Sequence, residues 1–230
     1  MKRTPTPELL DDDAGTPAEI ATSLADLWRI NRWFGGLPTS ELLLQRAFAR
    51  SGARSLSLLE VAAGAGDVPR WTRQRLHKHG LELKVTLLDR AASHLRDGFG
   101  GDPNSAVVGN ALALPFQRQS FDLVGCSLFA HHLAPPQLLQ FAEEALRVCR
   151  VGVLINDIVR HPLHLALVYA GMPLYRGRIT RHDAPASVRQ SYTIEEMRNL
   201  LAQTSAAEVE LHAHYLFRMG VIAWKSTAFS

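Results

Sequence analysis

The sequence predicts an α/β fold, in which a mostly parallel β-sheet has helices on both faces. Apolar, strand-like segments alternate with helix-compatible segments over residues 55–157. Alternation of this kind indicates parallel strands, because parallel neighbours are joined by a long crossover, usually a helix. A glycine turn follows the first strand at 62–66, and two strand-like segments, 207–215 and 217–225, end the chain.

Apolar periodicity and helix-terminating residues define the individual elements. Gly35-Gly36 ends a first helix, and Ser51-Gly52 ends a second one that begins at Pro38. Thr193, with Glu196 three residues later, forms a capping box for the last helix. The predicted strands are 55–62, 83–89, 105–109, 121–128, 150–157, 207–215 and 217–225, and the predicted helices are 17–34, 38–52, 67–79, 90–97, 135–148 and 193–204.

The length of 230 residues suits one α/β domain with a substantial core. We expect this domain to span residues 17–230, after a flexible polar tail at 1–16. Residues 17–52 form its amino-terminal helices. Residues 158–190 are an insertion between the fifth strand and the last helix, and insertions often carry function.

Composition excludes several classes of protein. A hydrophobic content of 47% and a charged content of 20% are ordinary for a soluble domain. The net charge of +3 is too small to indicate nucleic-acid binding. No apolar run reaches about 18 residues, so stable membrane insertion is not expected. A polar amino terminus and two apolar-flanked cysteines, Cys126 and Cys149, favour a cytoplasmic protein with reduced thiols.

The first strand ends in Glu60 and leads into the small-residue turn Ala62-x-Gly64-x-Gly66. A strand, a glycine turn and a helix in succession let a ligand approach the backbone closely. Pro69 stands where a dinucleotide fingerprint needs its third small residue, and no P-loop Gly-Lys-Ser/Thr follows. The order instead resembles motif I of the class I S-adenosylmethionine (SAM) methyltransferases. The alternatives are that the turn binds a different nucleotide or that it has a purely structural role.

Three later segments extend the resemblance. Asp89 ends the second strand 23 residues after Gly66, near the spacing of about 20 expected for a carboxylate that binds ribose. Its alternative role is a helix cap. The segment 109–116 is similar to the family segment whose polar residue reads adenine, here Asn110, although an asparagine in a turn is the simpler alternative. The segment 121–124, Phe-Asp-Leu-Val, resembles the family's fourth strand.

The resemblance implies a Rossmann-like, seven-stranded sheet with an antiparallel last strand and an amino-terminal helical lid. It implies SAM as cofactor and S-adenosylhomocysteine as product. Ligands in such sheets bind beyond the carboxyl ends of the strands, where these residues would converge. The family usually has glycine at the position of Ala62 and often aspartate at that of Glu60. The implied cofactor-binding residues are Glu60, Ala62, Gly64, Gly66, Asp89, Arg90, Asn110, Ala111 and Ser127.

Three histidines are candidates for catalysis. Methyl transfer is a direct displacement that depends largely on alignment, but a phenol or carbon acceptor also needs to lose a proton, for which histidine is well suited. His131 and His132 follow the fourth strand and resemble the L-H-H-L segment of ubiquinone/menaquinone-biosynthesis methyltransferases. In that group the pair often shapes the pocket, which is the alternative role here. His182 adjoins Asp183, a carboxylate that could orient it or merely cap a turn.

The insertion and the lid are candidates for acceptor binding. Segments 157–162 and 179–192 resemble a bacterial subgroup associated with type III polyketide synthases, which implies phenolic or polyketide acceptors in secondary metabolism. The candidate acceptor contacts are Trp33, Arg160, Arg181 and Asp183. Alternatively, these side chains pack within the protein or form part of a solvated face.

The insertion also suggests partners other than the acceptor. Its arginines could meet a carrier protein or a pathway enzyme. We expect a monomer or a homodimer. No metal is expected, because no carboxylate or thiolate motif completes the spaced histidine pairs.

Together these features predict an enzyme that transfers a methyl group from SAM to a small, hydrophobic, phenolic or polyketide-derived acceptor, with O-methylation preferred. C-methylation of a quinol-like lipophilic ring is one alternative. A SAM-binding regulatory or scaffold module without turnover is another, and an NAD-dependent oxidoreductase is the weakest.

Overall fold

A computed structural model describes residues 1–11, 14–95, 99, 101–102 and 105–226, and within them seven strands form a single sheet. The strand order is β3-β2-β1-β4-β5-β7-β6, with β1 to β5 parallel and β7 antiparallel to both neighbours. The predicted Rossmann-like fold is therefore confirmed. The strands are β1 Ser55–Val61, β2 Glu82–Asp89, β3 Ala106–Val108, β4 Phe121–Ser127, β5 Cys149–Ile158, β6 Glu208–His214 and β7 Arg218–Trp224.

The helices follow the predicted pattern, except that the insertion 158–190 contains two helices that were not predicted and that two predicted helices differ as follows. The second begins at Gly36 rather than Pro38, because Gly35 takes a left-handed φ of 79° that starts the turn and proline is tolerated in a first helical turn. The predicted helix 90–97 is a short 3₁₀ turn over Ala92–Leu95, and 96–97 lie outside the described residues. The helices are α1 Pro17–Trp33, α2 Gly36–Ser51, α3 Asp67–His77, α4 Pro135–Val148, α5 Pro162–Ala170, α6 Arg178–Gln190 and α7 Ile194–Leu201.

The core lies on both faces of the sheet. Alternate residues of β1 point to opposite sides, so Leu59 and Val61 join one cluster with α4 and α7, while Leu56 and Leu58 join another with α2 and α3. Parallel strands buried on both faces need such double cover. The thiols of both cysteines are free and buried in this core, as expected.

The insertion folds into α5 and α6 and packs against α1. The buried Asp26 carboxylate of α1 accepts hydrogen bonds from the backbone N–H groups of Arg176 and Gly177, both at 2.9 Å. The Thr180 hydroxyl donates to Ser23 Oγ at 3.2 Å. These contacts fix α1 and the insertion as one helical layer at the carboxyl end of the sheet.

Residues 1–11, called here the amino-terminal segment, are docked on the domain, contrary to the expected flexible tail. The Arg3 guanidinium donates to the carbonyls of Gln190, His131 and Leu133 at 2.6, 2.9 and 2.9 Å. The Leu9 N–H donates to Asp183 at 2.9 Å. The segment's polar groups thus find partners on α6 and on the loop after β4, which a sequence pattern does not reveal. Residues 12–13 of the predicted tail lie outside the described residues.

None of the helices within the described part of the chain combines the length and apolar character needed to cross a bilayer.

Candidate active site

The carboxyl ends of β1 and β4 bring Glu60 and Ser127 together. Ser127 Oγ donates to Glu60 Oε1 at 3.1 Å. Burial raises the pKa of Glu60 from its ordinary value of 4.5 to about 7, and the Ser127 hydrogen bond opposes this only in part. A buried acid of this kind is a suitable partner for a cationic ligand group.

Asp89, at the end of β2, ties that strand to the glycine turn. Its Oδ2 accepts from the Gly64 N–H at 2.9 Å, and its Oδ1 accepts from the Ala91 N–H at 3.0 Å. The second bond is the capping contact that was the alternative role for this residue. The first hydrogen bond holds the carboxylate beside the glycine turn, where it would bind the hydroxyls of a ribose.

The turn after β1 depends on left-handed backbone conformations. Gly64 and Gly66 have φ values of 52° and 71°, and a Cβ on Gly66 would lie 2.8 Å from Leu87 Cδ1. Ala62, where the family usually has glycine, also has a positive φ of 51°. Leu128, just after β4, has a φ of 56°. Two non-glycine residues are therefore held in a costly conformation at adjoining strand ends, as is common at functional sites.

Arg90, Asn110 and Ala111 complete the predicted cofactor side. The exposed Arg90 guanidinium donates to the carbonyl of Asp11 at 3.0 Å. Asn110 Oδ1 accepts from the Leu112 N–H at 2.9 Å, which makes it a turn residue as well as a candidate ligand. Ala111 is buried beside it.

A cavity of about 510 Å³ joins these strand ends to the helical layer. All the predicted cofactor residues line it except Gly66, whose part is to form the turn. Its apolar wall comes from the helical layer: Leu24, Leu27 and Trp28 of α1, Val168 of α5 and Val188 of α6.

Arg218 at the start of β7 also lines the cavity and is 1% exposed. It donates to Asn31 Oδ1 at 2.9 Å and to Asn156 Oδ1 at 3.5 Å. Burial lowers the pKa of this guanidinium to about 10, which still leaves it charged at neutral pH. The cavity therefore contains a buried cation that could meet an oxygen of the acceptor.

His131 lies at the junction of the two halves and is 2% exposed. Its Nδ1 is 2.7 Å from Asp157 Oδ1, and its backbone N–H donates to Asp157 Oδ2 at 2.9 Å. Its Nε2 is 3.6 Å from Glu8 Oε1. Burial alone would lower the pKa of this imidazole, but the two carboxylates outweigh it and raise the pKa to about 10.

His132 adjoins His131 in the cavity wall, with the two ring centres 4.2 Å apart. Its Nδ1 is 2.7 Å from Asp11 Oδ2, and its Nε2 is 4.0 Å from Glu8 Oε2. Each histidine thus contacts a carboxylate through Nδ1 and faces Glu8 through Nε2.

The other predicted residues lie elsewhere, and none is among the described residues that line the cavity. Trp33 is 63% exposed at the end of α1. Arg160 is buried, and its guanidinium donates to the Met1 and Ser191 carbonyls and to Glu196, a fixed structural arrangement. Arg181 donates to the Tyr175 carbonyl, and Asp183 accepts from the amino-terminal segment and contacts His182. Arg160, Arg181 and Asp183 thus make structural hydrogen bonds, and the acceptor contacts of all four residues stay predictions.

Sequence reasoning missed four residues of the cavity wall or its support. Asp157 ends a parallel strand, so the rule that found Glu60 and Asp89 could have assigned it to the site. Glu8 and Asp11 stand in a polar segment without periodicity, and Arg218 opens an antiparallel strand. No local pattern indicates these three.

Comparison with known proteins identifies a methyltransferase domain over residues 58–152. The ubiquinone/menaquinone biosynthesis C-methyltransferase UbiE of Laribacter hongkongensis is 23% identical over 223 residues, which cover 88% of each chain. The UbiE of Roseobacter denitrificans is 32% identical over 98 residues, 41% of this chain and 38% of that protein.

Solved structures show the same fold. The plantazolicin methyltransferase BpumL in complex with S-adenosylhomocysteine gives a TM-score of 0.64 at 10% identity, with 94% of each chain covered. Human N-acetylserotonin methyltransferase in complex with SAM gives 0.60 at 16% identity, covering 91% of this chain and 56% of that one. Both structures are below 25% identity, and they show that the chain shares the fold of these methyltransferases.

Proposed function

Since this chain is a class I SAM-dependent methyltransferase, we propose that it methylates an oxygen of a small, hydrophobic, phenolic or polyketide-derived acceptor. The observation that carries the proposal is one cavity with two unlike halves. Strand-end polar groups form one half, and apolar side chains of α1, α5 and α6 form the other. A donor and a flat acceptor bound in the two halves would meet in the space between them.

The residues of the polar half fit SAM. The buried Glu60 carboxyl group has a raised pKa and would be stabilised as an anion by a ligand ammonium group. Asp89 offers carboxylate oxygens beside the glycine turn for ribose hydroxyls. A Cβ on Gly64 would meet no atom within 4 Å, so the turn leaves open space for a ligand.

Two cationic groups in the cavity favour an oxygen acceptor. Arg218 and the His131 imidazole both line it, and both are held by buried polar partners. A hydroxyl that loses its proton becomes an anion, which such groups would stabilise in place. His131 is our candidate for this role, with Asp157 as the residue that positions it. His132 would shape the pocket beside it, whereas His182 lies in α6 outside the cavity lining.

C-methylation of a quinol-like ring is the second candidate, and the curated relatives favour it. Both UbiE proteins are named as C-methyltransferases of ubiquinone and menaquinone biosynthesis. An electron-rich phenolate ring can react at carbon or oxygen, so the same cavity could serve either product according to how the ring is oriented.

Mass spectrometry of reactions with SAM and a panel of phenols, resorcinols, pyrones and quinols tests the proposal. We expect a mass gain of one methyl group, absent without enzyme, and fragmentation that places it on oxygen. A methyl group on ring carbon would establish the second candidate instead. Measured SAM binding without product on any compound would contradict both, and would favour a carrier-tethered acceptor or a non-catalytic SAM-binding module.

A further inference from the structure

Three side chains meet where the amino-terminal segment crosses the cavity: Glu8, His131 and His132. Their ligand-type atoms all lie within 4.8 Å of one another. Glu8 and His131 are buried, at 8% and 2% exposure, and His132 is half-buried. We propose that this cluster binds a divalent transition-metal ion of the Zn²⁺ type through Glu8 and the Nε2 atoms of the two histidines.

The outer partners of the histidines support this proposal. Nδ1 of His131 is 2.7 Å from Asp157, and Nδ1 of His132 is 2.7 Å from Asp11. In the neutral ring a carboxylate at Nδ1 holds the proton there and leaves Nε2 to the metal, as in most metal-bound histidines, so metal binding at His131 would displace the second proton that the metal-free ring carries. Both rings face Glu8 through Nε2.

Glu8 is fixed as the third ligand by its own hydrogen bonds. Its Oε1 accepts from Ser187 Oγ and from Gln190 Nε2, both at 2.6 Å. Its carboxylate oxygens lie 3.6 Å from His131 Nε2 and 4.0 Å from His132 Nε2. Two ligands bound to one tetrahedral zinc ion are separated by about 3.3 Å. The observed distances are too long for hydrogen bonds and need only a small contraction to enclose an ion.

A buried nitrogen without a hydrogen bond, which Glu8 Oε1 faces only at 3.6 Å, is further evidence. His131 Nε2 makes no hydrogen bond to any described residue and has almost no contact with solvent. Polar atoms in this state are rare, because each costs the free energy of a lost hydrogen bond. A metal ion would give this nitrogen its missing partner.

The charges around the cluster also favour a cation. Glu8, Asp11 and Asp157 place three carboxylates beside two histidines, and Arg3 and Arg90 bond to backbone carbonyls rather than to these carboxylates. A proton on His131 is the competing way to offset this charge. Proton and metal would use the same lone pair, so metal affinity should rise with pH.

The sequence pattern does not indicate this cluster, because the third ligand comes from a segment about 120 positions away. With three protein ligands, an ion would keep a position open for an acceptor hydroxyl and lower the pKa of that hydroxyl. This catalytic role rests on the proposed function, whereas binding of the ion does not.

Cobalt titration of the protein, stripped of metal with a chelator, tests the inference. Tetrahedral Co²⁺ gives intense visible absorption bands, whereas the octahedral aqueous ion absorbs only weakly. We expect saturation at one Co²⁺ per chain, displacement by Zn²⁺, and stronger binding at higher pH. Glu8→Gln and His132→Ala should weaken binding by about 100-fold or more, given that loss of an outer-shell partner alone costs about 10–100-fold.

His212→Ala is the matched control, because His212 also pairs with a carboxylate, Glu210, on a remote strand. It should bind Co²⁺ like the unmodified protein. Circular dichroism checks that each variant is folded. No saturable band, or equal binding by Glu8→Gln, would overturn the inference. Bound metal without methylated product would contradict the proposed function only, and product without metal binding would contradict this inference only.

Discussion

The Asp157 carboxylate holds His131 at two points, through the ring Nδ1 at 2.7 Å and through the backbone N–H at 2.9 Å. Asp157 is the penultimate residue of β5, whereas His131 belongs to the loop after the neighbouring strand β4. One buried side chain therefore fixes both the position and the orientation of the histidine. Such double contacts are expected where a ring must present one nitrogen to a ligand.

Asp157→Asn should lower the pKa of His131 from about 10, since it removes the nearer carboxylate. In the metal-free protein, His131 stabilises the fold fully below pH 6.5, its ordinary pKa, and this stabilisation is lost as the pH rises towards 10. The variant should flatten that slope and lose on the order of 3 kcal/mol at neutral pH. NMR titration of the imidazole and urea unfolding at several pH values measure both effects. An unchanged His131 titration in a folded variant would contradict the assignment.

Glu60→Gln should remove a second pH dependence of the folded state's stability, one that arises from burial of an acid rather than from carboxylate partners as at His131. Because the pKa of Glu60 rises from 4.5 to about 7 on folding, its protonated form favours the folded state, and stability falls as the pH rises from 4.5 through 7. The shift in pKa corresponds to a loss of folding stability on the order of 3 kcal/mol.

SAM binding should strengthen over the same pH range, since the ionised carboxylate would pair with the ligand ammonium group. Calorimetric titration at pH 5.5 and 7.5 should show this trend in the unmodified protein and not in the variant.

Asp89→Ala should weaken SAM binding by about 1–3 kcal/mol, through loss of charged hydrogen bonds to the ribose. Asp89→Asn is the control for an intact glycine turn, because the amide oxygen of asparagine can still accept the hydrogen bond from the Gly64 N–H. Isothermal titration of SAM measures both variants. Unchanged affinity in a folded Asp89→Ala protein would limit this residue to its capping contact with Ala91.

Ala62→Gly should stabilise the protein by about 1 kcal/mol. A left-handed alanine costs about 1–2 kcal/mol, and the greater flexibility of glycine in the unfolded chain offsets part of the gain. The φ of 51° at Ala62 makes this substitution a relief of strain. Ala63→Gly, next to it and without a positive φ, should destabilise or have no effect. Chemical unfolding of the two variants gives the comparison, and equal effects would argue against strain at Ala62.

The sheet and the cofactor side of the site could be predicted because their signals are local. Each strand is an apolar run, and Glu60, Asp89 and Ser127 stand at or beside the ends of such runs. Once the strands are parallel, those ends must meet, so sequence positions alone bring the residues together. The left-handed φ of Ala62 has no such signal, because the residue type does not reveal it.

The acceptor side could not be predicted in the same way. Trp33, Arg160 and Asp183 have residue types suited to binding, but the structure uses the two charged groups to hold the chain itself. Glu8 reaches His131 across more than a hundred positions, without any periodic pattern. Long-range polar contacts of this kind depend on the packed fold and leave no trace in a short window of sequence.

The docking of residues 1–11 has a practical consequence for work on this protein. The Met1 carbonyl accepts from Arg160 at 2.9 Å, and Glu8 and Asp11 line the cavity a few residues later. An affinity tag fused ahead of Met1 would therefore extend the segment that places Glu8 in the cavity wall, where it could pull Glu8 away. Preparations with the tag enzymatically removed are the appropriate standard for any assay of this protein.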